Sequence, residues 1–159
     1  EKRLRALVGI CPDWTASVLD VGCGIGLLLN YKMAYGKDWY YGIDVLPEMV
    51  EAAQKAHPGY TFASADFSTT WMNWSAEYVL ASGLFQFGDE ERVWDLLSKM
   101  FQICEHGVSA NFLRAGDKDE CIMSPSAVMR MALALTPYFT IKADYLGNDF
   151  TLYLYKESQ

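Results

Sequence analysis

Val18-Leu19-Asp20-Val21-Gly22-Cys23-Gly24-Ile25-Gly26 joins an apolar run to alternating glycines, with an aspartate two residues before the first of them. An apolar strand ending in such a turn lets a ligand approach bare backbone at a helix start, as at the carboxyl edge of doubly wound α/β sheets. The dinucleotide form of this turn needs a third small residue one position further on, where this chain has Leu27. Asp20 also sets a negative charge where a pyrophosphate would be repelled and an ammonium group attracted. The stretch therefore reads as a nucleoside cradle for a ligand that carries an amine.

Working outward, Trp39-Tyr40-Tyr41-Gly42-Ile43-Asp44 reads as a second buried strand, and its terminal acid lies 18 residues after Gly26. An acid at that place, with Val45 beside it, can accept both hydroxyls of a ribose. Residues 60–64 read as a third strand leading into Ala65-Asp66-Phe67. Asp66 is then placed to accept an exocyclic adenine amine, with Phe67 and Leu46 able to cover the ring faces. A carboxylate after a strand is often a helix cap instead, and for Asp66 both readings stand.

Taken in order, these residues resemble the class I S-adenosylmethionine-dependent methyltransferases, over nearly all of the 159 residues. The resemblance implies a methionine-and-ribose cradle at Asp20, Gly22, Cys23, Gly24 and Gly26. It also implies a ribose acid at Asp44 next to Val45, and an adenine site at Ala65, Asp66 and Phe67. The family's fourth-strand segment resembles residues 78–87, where Ser82 and Gly83 would meet the methionine end and Gln86 and Phe87 replace histidines often seen there. The tail, from Asp144-Tyr145-Leu146 through residues 149–155, is similar to that of small bacterial or phage members. The implied cofactor is S-adenosylmethionine, with S-adenosylhomocysteine as product.

The fold expected is Rossmann-like and doubly wound: a seven-stranded, mostly parallel sheet with an antiparallel last strand, in a three-layer α/β/α sandwich. Two closing strands, residues 139–145 and 150–155 around Gly147-Asn148-Asp149, carry a hairpin signal that dinucleotide dehydrogenases typically lack. Helices are expected over residues 2–8 and 25–35, and from Pro47 to the Pro58-Gly59 stop. Another should follow an Asp89 cap, with Val93, Leu96, Leu97, Met100 and Phe101 on one face, and a last one should open at Ser124-Pro125. Residues 107–113 read as a fifth strand, and the polar run 115–123 as a surface loop near the strand ends. A single domain over residues 1–159 is expected.

Composition narrows the function. Hydrophobic residues make up 52% of the chain, which excludes disorder, and no apolar run reaches the roughly 18 residues of a membrane span. A formal charge of −7 opposes a large phosphate-binding face, so nucleic acid is disfavoured. Cys11, Cys23, Cys104 and Cys121 show no metal-ligand spacing, and His57 and His106 are the only histidines, so no metal site is expected and a reducing cytoplasm is the economical setting. The chain opens at Glu1-Lys2-Arg3 with no methionine or signal-like segment, as an ordered fragment would. Trp14, Trp71 and Trp74 read as core or rim residues; Gln86 and Tyr145 lie on the expected acceptor side.

Methyl transfer from a sulfonium needs chiefly alignment, because the leaving group is already activated. No catalytic base stands out in the sequence. An Asp-Pro-Pro-Tyr or Asn-Pro-Pro-Tyr run after the fourth strand, the mark of DNA amine methyltransferases by resemblance, is absent. Methylation of a small-molecule acceptor is the leading expectation. Protein methylation and a cofactor-binding subunit without turnover remain open beside it.

Overall fold

The structure is a computed structural model that describes residues 1–12, 15–32 and 39–158. Its strands are β1 (Val18–Val21), β2 (Tyr40–Asp44), β3 (Thr61–Ser64), β4 (Ala76–Ala81), β5 (Cys104–Leu113), β6 (Phe139–Lys142) and β7 (Asp149–Tyr155). The helices are α1 (Lys2–Val8), α2 (Leu29–Lys32), α3 (Pro47–Ala56), α4 (Phe67–Thr70), α5 (Glu90–Ile103) and α6 (Pro125–Leu135). One seven-stranded sheet runs in the order β3-β2-β1-β4-β5-β7-β6. The first five strands pair in parallel, and β7 is antiparallel to both β5 and β6. The chain winds outward from β1 through β2 to β3, then returns to lay β4 on the other side of β1. That reversal is the switch point at which a doubly wound sheet opens a crevice.

Side chains alternate across the central strands with period two. Val18, Tyr78 and Leu80 pack with Leu7, Leu29, Val50 and Ala53 of α1 to α3. Leu19, Val21, Val79 and Ala81 pack on the other face with Val93, Leu97 and Met100 of α5 and Val128 and Ala132 of α6. Both faces being covered explains why β1 is buried at every position. Each fully buried aliphatic side chain of the α5 stripe is worth about 1.5–3 kcal/mol, so this helix is held mainly by its apolar face. The caps expected at Asp89 and Ser124 form, each accepting a backbone N–H in the first turn of its helix.

Four departures from the sequence reading have local causes. Helix α2 begins at Leu29, not Ile25, because Gly26 sits at φ +78° and the chain leaves it in turns that bond Leu29, Asn30 and Tyr31 three residues back; the expected extension beyond Lys32 lies outside the described residues. Strand β6 ends at Lys142 and not at Tyr145, whose hydroxyl reaches back to Asp149 and Thr151. Strands β4 and β5 start earlier, at Ala76 and Cys104, because Ala76 already pairs with Cys104. A short helix, α4, continued by a 3-10 turn over Trp71–Asn73, fills the connection between β3 and β4. Trp71 and Trp74 of that connection pack on the core, whereas Trp14 lies outside the described residues.

Candidate functional site

A cleft of about 450 Å³ opens at the carboxyl edge of the sheet, over the switch point between β1 and β4. The fold brings nine of the expected residues to it: Gly22, Gly24, Asp44, Val45, Ala65, Asp66, Phe67, Ser82 and Gly83. Asp20, Cys23 and Gly26 do not line it.

Asp44 organises the centre. Its Oδ2 accepts the Gly24 N–H at 2.8 Å and its Oδ1 the Leu46 N–H at 3.0 Å. One carboxylate thus pins the glycine turn after β1 to the start of α3. Each oxygen keeps a second lone pair, so the same group can also receive two hydroxyls. A Cβ on Gly24 would meet nothing within 4 Å, so this part of the turn faces open space where a ligand can come close to the backbone. Gly26 serves packing: at φ +78° its absent Cβ would stand 2.9 Å from His57 Cδ2 and 3.2 Å from Phe62.

Asp66 is both at the cleft and a cap. Its Oδ1 accepts from the Ser68 N–H at 2.9 Å and the Ser68 hydroxyl at 2.7 Å, fixing the start of α4. The Ser68 hydroxyl bond holds its carboxyl below the ordinary carboxylate range, against a smaller opposing effect of burial; the Arg92 and Lys99 charges add to the lowering. Phe67 is buried in the core beneath the cleft, whereas Leu46 stands exposed at it, so Leu46 alone of the two offers an open side-chain surface.

The remaining expected residues lie behind the wall. Asp20, 3% exposed, accepts the Tyr40 hydroxyl at 2.7 Å. Burial first, then the Asp20 charge, pushes the Tyr40 phenol well above its usual value and keeps it a donor. Cys23 is buried against Gly42, and burial, reinforced by Asp20 and Asp44, pushes its thiol far up.

Val21, Ile43, Met49, Ser68, Leu84, Arg92 and Leu96 complete the lining together with Gln86 and Phe87. Arg92 and Leu96 come from α5 and reach the cleft only because that helix packs beside the β3–α4 connection. No local motif marks them. Loop 115–123 returns to the same rim, where the Cys121 N–H donates to the Gln86 carbonyl at 2.9 Å.

A family model described as a methyltransferase domain matches residues 18–107, more than half of the chain. This chain belongs to the methyltransferase domain family. A relative from Mycobacterium tuberculosis, named as a methyltransferase, is 48% identical over 71 residues, which make up 43% of this chain and 42% of that protein. The matched part is thus under half of that relative's length. Among solved structures, magnesium protoporphyrin IX methyltransferase of Synechocystis PCC 6803 with bound S-adenosylhomocysteine superposes with a TM-score of 0.74 at 14% identity, covering 90% of this chain and 74% of that one. An amino pentose methyltransferase from Micromonospora echinaspora with bound S-adenosylmethionine gives 0.74 at 14%, covering 97% and 88%. At these identities the likeness is one of fold, and it matches the methyltransferase-domain sheet order found here.

Among the described residues, no helix is long and apolar enough to cross a membrane.

Proposed function

We propose that this methyltransferase-domain chain binds S-adenosylmethionine and directs its methyl group to a small-molecule acceptor. The observation that carries the reading is the convergence of Asp44, Asp66 and the open face of Gly24 on one cleft of about 450 Å³ at the switch point. That volume lies within the ordinary range for nucleoside-sized ligands. Asp44 would accept the ribose hydroxyls on its outer lone pairs, and the unshared oxygen of Asp66 would accept the adenine amine. Leu46 and Met49 would cover one face of the base, with Ser82 and Gly83 at the sulfur end.

When bound, the cofactor supplies a methyl group on an already activated sulfonium leaving group. The chain's own task is then to hold donor and acceptor in line and keep water out, which is worth several kcal/mol of barrier by itself. Among the described lining residues there is no histidine or lysine, in keeping with catalysis by positioning. A small acceptor is supported by the apolar rim of Val45, Leu46, Met49 and Phe87 and by a net charge of −7, which opposes polyanions. The two structural neighbours described above are named for a porphyrin and an amino pentose, both small molecules. A reducing, cytoplasmic setting suits the buried Cys23, Cys104 and Cys121 thiols.

Calorimetry with S-adenosylhomocysteine tests the cofactor, and transfer of a labelled methyl group to pooled small molecules against pooled proteins tests the acceptor. Micromolar binding and label in the small-molecule fraction are expected. A folded protein that binds no S-adenosylhomocysteine overturns the cofactor assignment, and label found only in protein overturns the acceptor class.

A further inference from the structure

Helix α6 carries a single charge in its 11 residues, at Arg130. Its inward side, Ala127, Val128, Met131 and Ala132, is buried in the core against the sheet. The outward side repeats the same chemistry: Met129 is 42% and Leu133 58% exposed, and Ala134 is exposed next to Leu133. Met129 and Leu133 stand four residues apart, so they share one strip of the helix surface. Helix α3 is the contrast, since its exposed positions include Glu48, Glu51, Gln54 and Lys55. A helix that is apolar nearly all round is one that is covered on both sides. In a single chain α6 is covered on one.

The open side continues onto α5. A groove of about 330 Å³ runs between the two helices, lined by Glu90, Glu91 and Trp94 of α5 and by Arg130, Met131 and Ala134 of α6. Trp94 is 38% exposed, and Leu133 stands one turn along from Arg130. A tryptophan and an arginine among apolar side chains are the residue types that anchor protein interfaces. The groove also holds charges of both signs, yet among the described residues no ion pair joins Arg130 to Glu90 or Glu91. The two acids lie in the first turn of α5, where the helix dipole favours them. No such reason places Arg130 in the middle of α6.

The charge pattern selects the partner. An acidic surface would pair with Arg130 and be repelled by the two acids, and a basic surface the reverse. A surface that meets the groove with both signs in the opposite order answers all three charges, and this same face turned about a two-fold axis is such a surface. An axis passing between α5 and α6 lays α5 of each copy over α6 of the other. Arg130 of each copy then faces Glu90 and Glu91 of the other, and Leu133 of each meets the groove beside Trp94. The formal charge of −7 on each copy is a long-range repulsion, screened beyond about 8 Å at physiological ionic strength, whereas the crossed pairs act at contact.

We propose that the α5–α6 face is the interface between two copies of this chain related by a two-fold axis, with Trp94 and Leu133 at its apolar centre and Arg130 crossing to Glu90 and Glu91. This interface is independent of the cofactor reading above. Arg92, which lines the cleft, lies two positions from both Glu90 and Trp94, about 200° round the helix, so the cleft and the groove use different sides of α5.

Sedimentation velocity of the whole chain over a range of micromolar concentrations tests this. The unsubstituted protein is expected to sediment as a particle of twice 17.9 kDa. Three variants are compared with it: Leu133→Asp, Arg130→Glu, and Glu90→Arg combined with Glu91→Arg. All four positions are exposed, so the fold does not rest on them. Each variant alone is expected to weaken self-association about 10-fold or more, the scale of losing an interface anchor or setting like charges together. The two charge variants mixed in equal amounts bring opposite charges together at both crossings, and the dimer should return. A monomer at every concentration overturns the inference and leaves the face to a different protein. A dimer indifferent to all three variants also overturns it, because another surface then makes the contact. Charge variants that dissociate alone and stay apart when mixed overturn the two-fold crossing.

Discussion

Replacing Asp44 by alanine separates what its carboxylate does for the fold from what it does for a ligand. In the structure the two oxygens accept the Gly24 and Leu46 N–H groups at 2.8 and 3.0 Å. Leu46 is exposed and Gly24 half-buried, so water can take over both donors and the stability cost should be small, about 1–2 kcal/mol. For a chain of this size that lowers the melting temperature by roughly 3–6 °C. The ligand loses far more. Two ribose hydroxyls on a carboxylate are worth about 1.5–3 kcal/mol each net of water, so losing both costs about 3–6 kcal/mol, or at least about 100-fold in affinity. Asp44→Asn keeps one acceptor oxygen and should fall between the two in both measurements. Calorimetry with S-adenosylhomocysteine beside a thermal melt reads both quantities on the same sample. A folded Asp44→Ala that binds within about threefold of the unsubstituted protein refutes the ribose assignment.

Two glycines of the turn, Gly24 and Gly26, should differ under the same substitution. Gly26→Ala meets His57 and Phe62 as well as a left-handed backbone, and should cost about 2–4 kcal/mol in a urea titration; Gly24→Ala meets only the backbone strain, about 1–2 kcal/mol, but should weaken S-adenosylhomocysteine more, and equal stability losses would contradict the steric account. Asp66→Ala removes the α4 cap and should cost about 1 kcal/mol at pH 7. The folded Asp66 carboxyl titrates below its unfolded value of 3.8, so its contribution is complete at neutral pH and is lost as pH falls through the folded value. The melting-temperature gap between the two proteins should therefore close as the pH falls from the unfolded value through the lower folded one, and a gap that persists once the folded carboxyl is protonated would show that the cap does not act through charge. Cys23, buried with its thiol pushed far up, should resist a disulfide reagent at pH 8 until the protein unfolds; prompt labelling mapped to its peptide would contradict the burial.

Legibility in the sequence tracked distance along the chain. This side of the cleft was readable because its parts are short-range: a strand, a turn, and an acid at each following strand end, so Gly24, Asp44 and Asp66 could be placed at the cleft from spacing. Helices α5 and α6 were readable from their caps and stripes. The sheet-buried strands gave their existence but not their ends, because a parallel strand covered on both faces is apolar throughout and carries no alternation to mark a boundary. Arg92 and Leu96 were invisible as cleft residues, since only the packing of α5 brings them there. A run of buried polar side chains, Asn111, Asp149 and Thr151, is the extreme case: Arg3, which donates to Asp149, lies 146 residues from it. The one local hint was polar side chains at Asn111, Asp149 and Thr151 inside strands that otherwise read as core.

Asp20 shows how the same local logic can point one layer too far forward. It stands one residue before the end of β1, while Asp44 ends β2, and spacing alone treats the two alike. The pleat does not. Successive β1 side chains alternate, so Asp20 shares the face of Val18, against which Tyr40 packs from the neighbouring strand. The Tyr40 hydroxyl is then within 2.7 Å, and the carboxylate becomes a buried tie between β1 and β2. Asp44 escapes that fate because β2 ends at it and the chain turns outward toward the cleft. Its oxygens therefore find the Gly24 and Leu46 amides in place of a core phenol. Asp20 still acts on the site from behind, since its charge helps keep the Cys23 thiol protonated inside the turn. A thiolate there would set a second anion beside Asp20 inside the glycine turn, so burial and the neighbouring acid together keep the Cys23 thiol neutral.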